Sequence, residues 1–326
     1  MDVAAHDPAP RDLPEAAYDA AFLTFMDSLA CAFKALQDPA CTKLLGALVP
    51  GATMAFGARV PGTSYQLDPV QAAFNIGTLV GWLDANDPAL ATMSGHLSDN
   101  LGAILAVADY RARQAIAEGT RPPKVRDLFA ALLGAHEHAS LEWTRLQRVT
   151  RFAPADQATA ASASVSARCA LIRSASAVAA ASLLGGTRDQ VAAAVAIARS
   201  EAPAIEHLGS ARSAETHERW RIGDATSRGV RLALIALAGQ TGPRSGFPQP
   251  GDETTLQRPV MAGLDQTWQA ACAAPDAQSR IRDRFAASVS AHFPAAQAGK
   301  LAAMFADRVK LEALPVNELV SITVRN

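Results

Sequence analysis

The sequence predicts an all-α protein organised as a helical bundle. Three observations carry this: long alanine-rich runs with apolar residues at helical spacing, only 6% aromatics in a chain that is 49% hydrophobic, and turn residues that cut the chain into helix-length pieces. Alanine has the best intrinsic helix propensity, and its small side chain lets helices pack closely. Antiparallel helices joined by short loops then form a bundle.

The elements follow in order along the 326 residues. Residues 1–13 are rich in Pro and Asp and read as a flexible terminus ahead of a single helical domain over 14–326. Residues 15–36, EAAYDAAFLTFMDSLACAFKAL, form the first amphipathic segment. LVPGATMAFGARVPGTSYQL follows, where Gly51, Pro61 and Gly62 mark turns. Asp68 caps the next helix and Pro69 occupies its first position, where a missing N–H does no harm. That helix is expected to deliver Asp84 at its C-terminal end.

Ser98 is the expected N-cap of SDNLGAILAVADYRARQAIAEG, which closes at Gly119. Helices are expected over 124–140 and 163–184, and another from Thr187, whose pairing with Gln190 is a capping box. A further one is expected at 223–239, opened by Asp224, and two more within 276–293 and 295–313. The tail LVSITV is a weak strand candidate. Three prolines and three glycines in QTGPRSGFPQPGDETT, residues 240–255, make the strongest break in the chain.

Composition excludes several classes of function. A net charge of −1 gives no electrostatic footprint for nucleic acid or for an anionic membrane surface. Cys31, Cys41, Cys169 and Cys272 are scattered with no CxxC, so no metal site and no cofactor are expected. The N-terminus lacks the basic start and apolar run of a signal peptide. No stretch reaches the roughly 20 apolar residues of a membrane span; Arg173 interrupts CALIRSASAVAAASLLGG, the best candidate. A cytoplasmic protein is the expectation.

Chemistry concentrates in GWLDANDPALATMSGHLSDN, residues 81–100. Asp84 lies at an expected helix C-terminus, where the dipole opposes its ionised form, and His96 lies just before a helix start that attracts anions. An anion on Ser98-Asp99-Asn100 would meet a carboxylate and a neutral histidine, a pair able to abstract a proton alpha to a carboxylate and protonate a leaving hydroxyl. Caps and turns are the commoner use of the same residues: Asn86 and Asp87 in the turn, Ser98 as cap. In HEH, His136 and His138 point about 200° apart on a helix and cannot share an ion. GDATSR, residues 223–228, lacks the P-loop lysine and reads as a capped helix, with Arg228 towards a cleft.

Longer segments resemble a known family. DPACTKLLGALVPG, GARVPGTSYQLDPVQAAFNIGTLVGWLDANDP, GHLSDNLGAILAVADY, AHEHASLEW, SLLGGTRDQVAAAVAIA, RWRIGDATSRGVRLALIALAG and RVKLEALPVNEL resemble, in order, the MmgE/PrpD family, nearest to its bacterial 2-methylcitrate dehydratases. The resemblance implies a large helical domain built from both ends of the chain, a homodimer, and no iron–sulfur cluster. Family members dehydrate 2-methylcitrate or decarboxylate cis-aconitate. It also implies catalytic roles for Asp84 and His96, and substrate-binding roles for Asn86, Asp87, Ser94, Ser98, Arg219 and Arg228.

Two departures shape the functional expectation. The family inserts an α/β lid domain where this chain has only a junction at about 240–275, so the lid is expected to be deleted and the cleft open. Within the site, Pro88, Ser94 and Leu97 replace a threonine, a tryptophan and a proline of the family pattern. A histidine expected just ahead of LIRSAS has no counterpart, and Arg168 stands near its place. Glu206 replaces an arginine and Glu218 a lysine. Reversing one charge at about 4 Å is worth roughly 4 kcal/mol at an effective dielectric near 20. The expectation is a diverged lyase performing elimination, decarboxylation, isomerisation or cyclisation on a carboxylate- or carbonyl-bearing small molecule other than 2-methylcitrate. The alternatives are a non-catalytic helical scaffold and a genuine 2-methylcitrate dehydratase.

Overall fold

The computed structural model describes residues 13–83, 96–149, 157–201, 219–243 and 275–325. Its first helix, α1 (Glu15–Ala35), is buried on nearly every face from Tyr18 to Ala35, as befits a helix that is apolar all round. After the short α2 (Pro39–Thr42), a hairpin pairs β1 (Ala58–Arg59) with β2 (Gln66–Leu67). Then come α3 (Pro69–Gly81), a 3-10 turn (Leu97–Asn100), α4 (Leu101–Ala117), α5 (Val125–Val149), α6 (Gln157–Leu183), α7 (Arg188–Ser200) and α8 (Arg221–Leu237). Four C-terminal helices complete the described chain: α9 (Pro275–His292), α10 (Ala295–Met304), α11 (Arg308–Ala313) and α12 (Val316–Ile322). The fold is all-α, and the hairpin is the one sheet among the described residues.

Most expected elements are present, with their caps. Asp68 Oδ1 accepts from the N–H groups of Val70 and Gln71, and Thr187 exchanges hydrogen bonds with Gln190. Four readings need correction. Asp224 does not cap α8: the helix begins at Arg221, and Asp224 already donates its N–H to the Trp220 carbonyl. Ser98 does not cap α4 but lies buried inside the 3-10 turn, and Asp99 holds that turn instead. The 295–313 segment is two helices, because Asp307 caps a new start by accepting from Lys310 N–H. The first four residues of LVSITV, 319–322, are helical in α12, where Leu319 and Val320 are buried one beside the other, a pattern foreign to a half-buried strand. Residues 1–12 of the expected flexible terminus and most of the 240–275 junction lie outside the described residues.

Both ends of the chain share one core. Phe305 stacks on Phe22 and Phe25 and meets Phe285, with ring centroids 6.2, 6.0 and 4.5 Å apart. Phe25 also meets Phe129 of α5. Above this cluster, buried Glu312 accepts from Arg126 and Arg308, each at 2.6 Å, and both arginines reach Glu15 of α1.

Glycines set the close crossings on the other side of the bundle. A Cβ on Gly102 of α4 would lie 2.7 Å from Cα of Gly77, and one on Gly77 would lie 2.8 Å from Cα of Gly223. Helices α3, α4 and α8 therefore touch backbone to backbone at these three positions, an approach that any side chain would block. This contact fixes the start of α8 relative to the end of α3 and the start of α4.

Candidate active site

The 3-10 turn between α3 and α4 presents the first group. Asp99 is buried, and its Oδ2 accepts the backbone N–H of His96 at 2.9 Å. Arg168 of α6 closes on the same carboxylate side-on, Nη2 to Oδ1 at 2.6 Å and Nε to Oδ2 at 3.1 Å. One residue on, Asn100 Oδ1 accepts from Ser176 Oγ, also on α6, at 3.0 Å. The turn is thus pinned to α6 at two points, two helical turns apart. Such charge-assisted forks are the strong members of the hydrogen-bond inventory.

Helix α5 supplies the floor. His136 is buried, and burial pushes its pKa down to about 4, opposed by the Asp99 carboxylate and reinforced by His96. It is therefore neutral at physiological pH and lies in the same field as the turn. Two residues on, His138 Nε2 meets Ser174 Oγ of α6 at 3.0 Å. Buried Glu142 is forked by Arg199 of α7 and bonded by Arg145 at 3.1 Å. Burial alone would raise its pKa; His138, Arg199 and Arg145 outweigh that and hold it at about 2. The two histidines of HEH do diverge, one into the core and one onto α6.

The α6–α8 seam forms the second part. Burial raises the Cys169 thiol pKa, with Arg221 and Arg168 pulling the other way. Arg228 forks Glu201 at the end of α7, Nη2 at 2.6 Å and Nε at 2.9 Å. Arg219, just before α8, faces away from this seam: its guanidinium lies 5.5 Å from the Trp82 ring and 3.9 Å from Asp38. Trp82 Nε1 donates to that aspartate at 2.8 Å, the main reason its pKa is lowered.

The structure thus brings His96 and Ser98 together in the turn and sends Arg219 and Arg228 to different neighbours. Asp84, Asn86, Asp87, Ser94 and Glu218 lie outside the described residues. Helix α3 ends at Gly81, so the helix itself stops short of Asp84. Two features escaped the sequence reading: the Arg168–Asp99 fork and the placement of His136 beside it. The fork joins residues 69 apart, and no local pattern encodes such a pairing. Among the described residues, no group of three His, Cys, Asp or Glu could hold a metal ion, and no helix is long and apolar enough to cross a membrane.

A buried acid in a capped turn, answered by a side chain of α6, is built on a run whose neighbours match one family throughout. Residues 4–250 match the MmgE/PrpD N-terminal domain. The chain belongs to the MmgE/PrpD family. It is 38% identical over 253 residues to 2-methylcitrate dehydratase of Escherichia coli K12, covering 74% of this chain and 50% of that enzyme. To the 2-methylcitrate dehydratase of Cupriavidus necator it is 41% identical over 233 residues, covering 69% and 44%. To the alkylcitrate dehydratase phiI of a fungal species it is 34% identical over 242 residues, covering 71% and 45%. The chain spans about half the length of the curated relatives it matches. Beyond α8 of this MmgE/PrpD chain, residues 275–325 are helical, and no α/β lid is present among the described residues.

Proposed function

We propose that this chain is a dehydratase-like lyase acting on a carboxylate- or carbonyl-bearing small molecule other than 2-methylcitrate. The observation that carries the reading is the Arg168–Asp99 fork. Near the place where the family pattern has a histidine, this chain has the Arg168 guanidinium, which cannot act as a base near neutral pH. Arg168 is instead committed to a carboxylate of the family's own Gly-His-x-Ser-Asp-Asn turn. Proton transfer then falls to the remaining pair, His96 and Asp84. In an elimination, the base removes the proton alpha to the carboxylate, the electron pair forms the double bond, and the leaving hydroxyl departs as water after protonation by the second group. Asn86, Asp87, Ser94 and Ser98 remain the substrate-binding residues in this reading; Arg228 and Arg219 are engaged with Glu201 and Asp38 and lie apart, and Glu218 disfavours a tricarboxylate where the family offers a lysine.

Supporting a homodimer, Leu48, Val49 and Phe56 are each exposed in the segment between α2 and α3, Leu48 at 85%. Sedimentation showing a monomer at micromolar concentration would remove that part of the reading.

The decisive experiment is a panel of 2-hydroxy and 3-hydroxy acids, 2-methylcitrate included, followed by absorbance of the unsaturated acid. Turnover of a less anionic acid, reduced about 100-fold or more in His96→Ala, is the expected result. Turnover of 2-methylcitrate above all others would overturn the substrate assignment. The absence of any turnover, with carboxylates still binding, would overturn the lyase reading itself.

A further inference from the structure

Arg173 of α6 stands one turn beyond Cys169, facing Glu201, Asp224 and Arg228. Its Nε and Nη2 are sealed from solvent and have no hydrogen-bond partner. Helix α8 crosses tightly here: a Cβ on Gly229 would lie 2.7 Å from the Arg173 carbonyl oxygen. Arg173 as a whole is part-buried, but these two donors are out of water, and a guanidinium cannot shed its charge as a buried lysine can. A trapped water would satisfy a donor but would bring no countercharge.

The identity of the two unused donors is informative. Nε and Nη2 form the side-on edge of the guanidinium, and the same edge is the one Arg168 gives to Asp99 and Arg228 gives to Glu201. In both cases it grips a carboxylate. Neither neighbouring carboxylate takes that role for Arg173: Glu201 is committed to Arg228, and Asp224 is exposed. Among the described residues, the charged groups acting on Arg173 are Glu201, Asp224 and Arg228. The donors without acceptors there belong to Arg173.

We propose that Arg173 is the anchor for a carboxylate of the bound small molecule, received side-on by Nε and Nη2 in the α6–α8 seam. The proposal rests on the lyase reading for the identity of the ligand, but not for the existence of the site. Arg173 is a binding residue here, not an acid or base. A planar two-oxygen acceptor matches the fork better than a tetrahedral phosphate does.

The test uses the full chain and an unreactive probe, tricarballylate, with inorganic phosphate as the second arm. Thermal unfolding and calorimetry are measured for the wild type, Arg173→Met and Arg173→Lys. The expected result has two signs. Arg173→Met unfolds at higher temperature than the wild type when no ligand is present, because two sealed donors without acceptors have been removed. The same variant binds tricarballylate about ten-fold or more weakly, the worth of one bidentate charge-assisted contact. Arg173→Lys retains part of the binding, and phosphate shifts the wild type less than tricarballylate does. A ligand-free Arg173→Met that melts below the wild type and binds tricarballylate equally well would overturn the proposal. So would a wild type that tricarballylate does not stabilise, or one that phosphate stabilises more. Tight, Arg173-dependent binding in a protein that turns over no hydroxy acid would leave the anchor standing and remove the lyase reading.

Discussion

Arg168 holds Asp99 through two hydrogen bonds, 2.6 and 3.1 Å, and the carboxylate is almost fully buried while the guanidinium is about one-third exposed. The asymmetry decides what happens when the pair is broken. Removing the arginine strands a buried charge, whereas removing the acid leaves a cation that can turn to solvent. Arg168→Ala is therefore expected to lose about 3–5 kcal/mol of stability. Arg168→Ala with Asp99→Asn should recover a good part of it. Urea denaturation of the two singles and the double gives the coupling, and a coupling near zero would show that the fork does not hold the turn.

The acid side of the stability profile is set by α5. His136 is held neutral with a pKa of about 4, against an ordinary 6.5. A histidine with a depressed folded pKa contributes stability that is fully present above pH 6.5 and lost as pH falls from 6.5 to 4. At about 1.4 kcal/mol per pH unit the loss is on the order of 3 kcal/mol. Glu142, at about 2 against 4.5, adds a second loss as pH falls from 4.5 towards 2. Denaturation midpoints from pH 8 to 3 should fall in these two windows. His136→Gln should flatten the first window and leave the second in place. A midpoint independent of pH between 6.5 and 4 would contradict the neutral, buried imidazole.

The three-glycine crossing gives a prediction of a different kind. Gly77→Ala puts a methyl group 2.5 Å from Thr226 Oγ1 and 2.8 Å from the Gly223 backbone. Neither neighbour is the end of a flexible chain, so the helices must separate. Overpacking of this sort loses about 1–3 kcal/mol. Because the crossing also fixes the start of α8, binding at the α6–α8 seam should weaken in parallel. Gly119→Ala, at the exposed end of α4 with open space around it but φ +68°, should lose about 1 kcal/mol through backbone strain alone and leave binding unchanged.

How far the sequence reached follows from what is local. Asp68, Pro69 and the Thr187–Gln190 box are encoded within four residues, and the structure has them as read. Asp224 and Ser98 were misplaced because each has the right residue type beside a helix start, while the actual starts are decided by tertiary contacts. Gly223 must reach α3, which draws α8 back to Arg221. Asp99 must reach Arg168, which tightens the turn before Leu101. The family motif located His96 and the turn, but not the residue that answers it. Arg168 was visible only as the absence of a histidine, and Arg173 only as a polar break in an apolar run. Both acquire meaning when α6 is laid beside the turn and α8.

The aromatic cluster supplies the last prediction, on the unity of the domain. Phe305, 2% exposed, touches the rings of Phe22 and Phe25 near the N-terminus and of Phe285 on α9. If residues 275–325 were a loosely attached appendage, Phe305→Ala would release them and leave α1–α8 nearly as stable as before. The rings belong to one cluster with α1, whose buried faces also support α3 and α5. The substitution is therefore expected to lower the stability of the whole fold by about 3–5 kcal/mol in a single cooperative transition. Hydrogen exchange resolves the alternatives: protection should fall together in α1, α5 and α9. Loss confined to 275–325, with α1 protected as in the wild type, would show that the two ends of the chain fold independently.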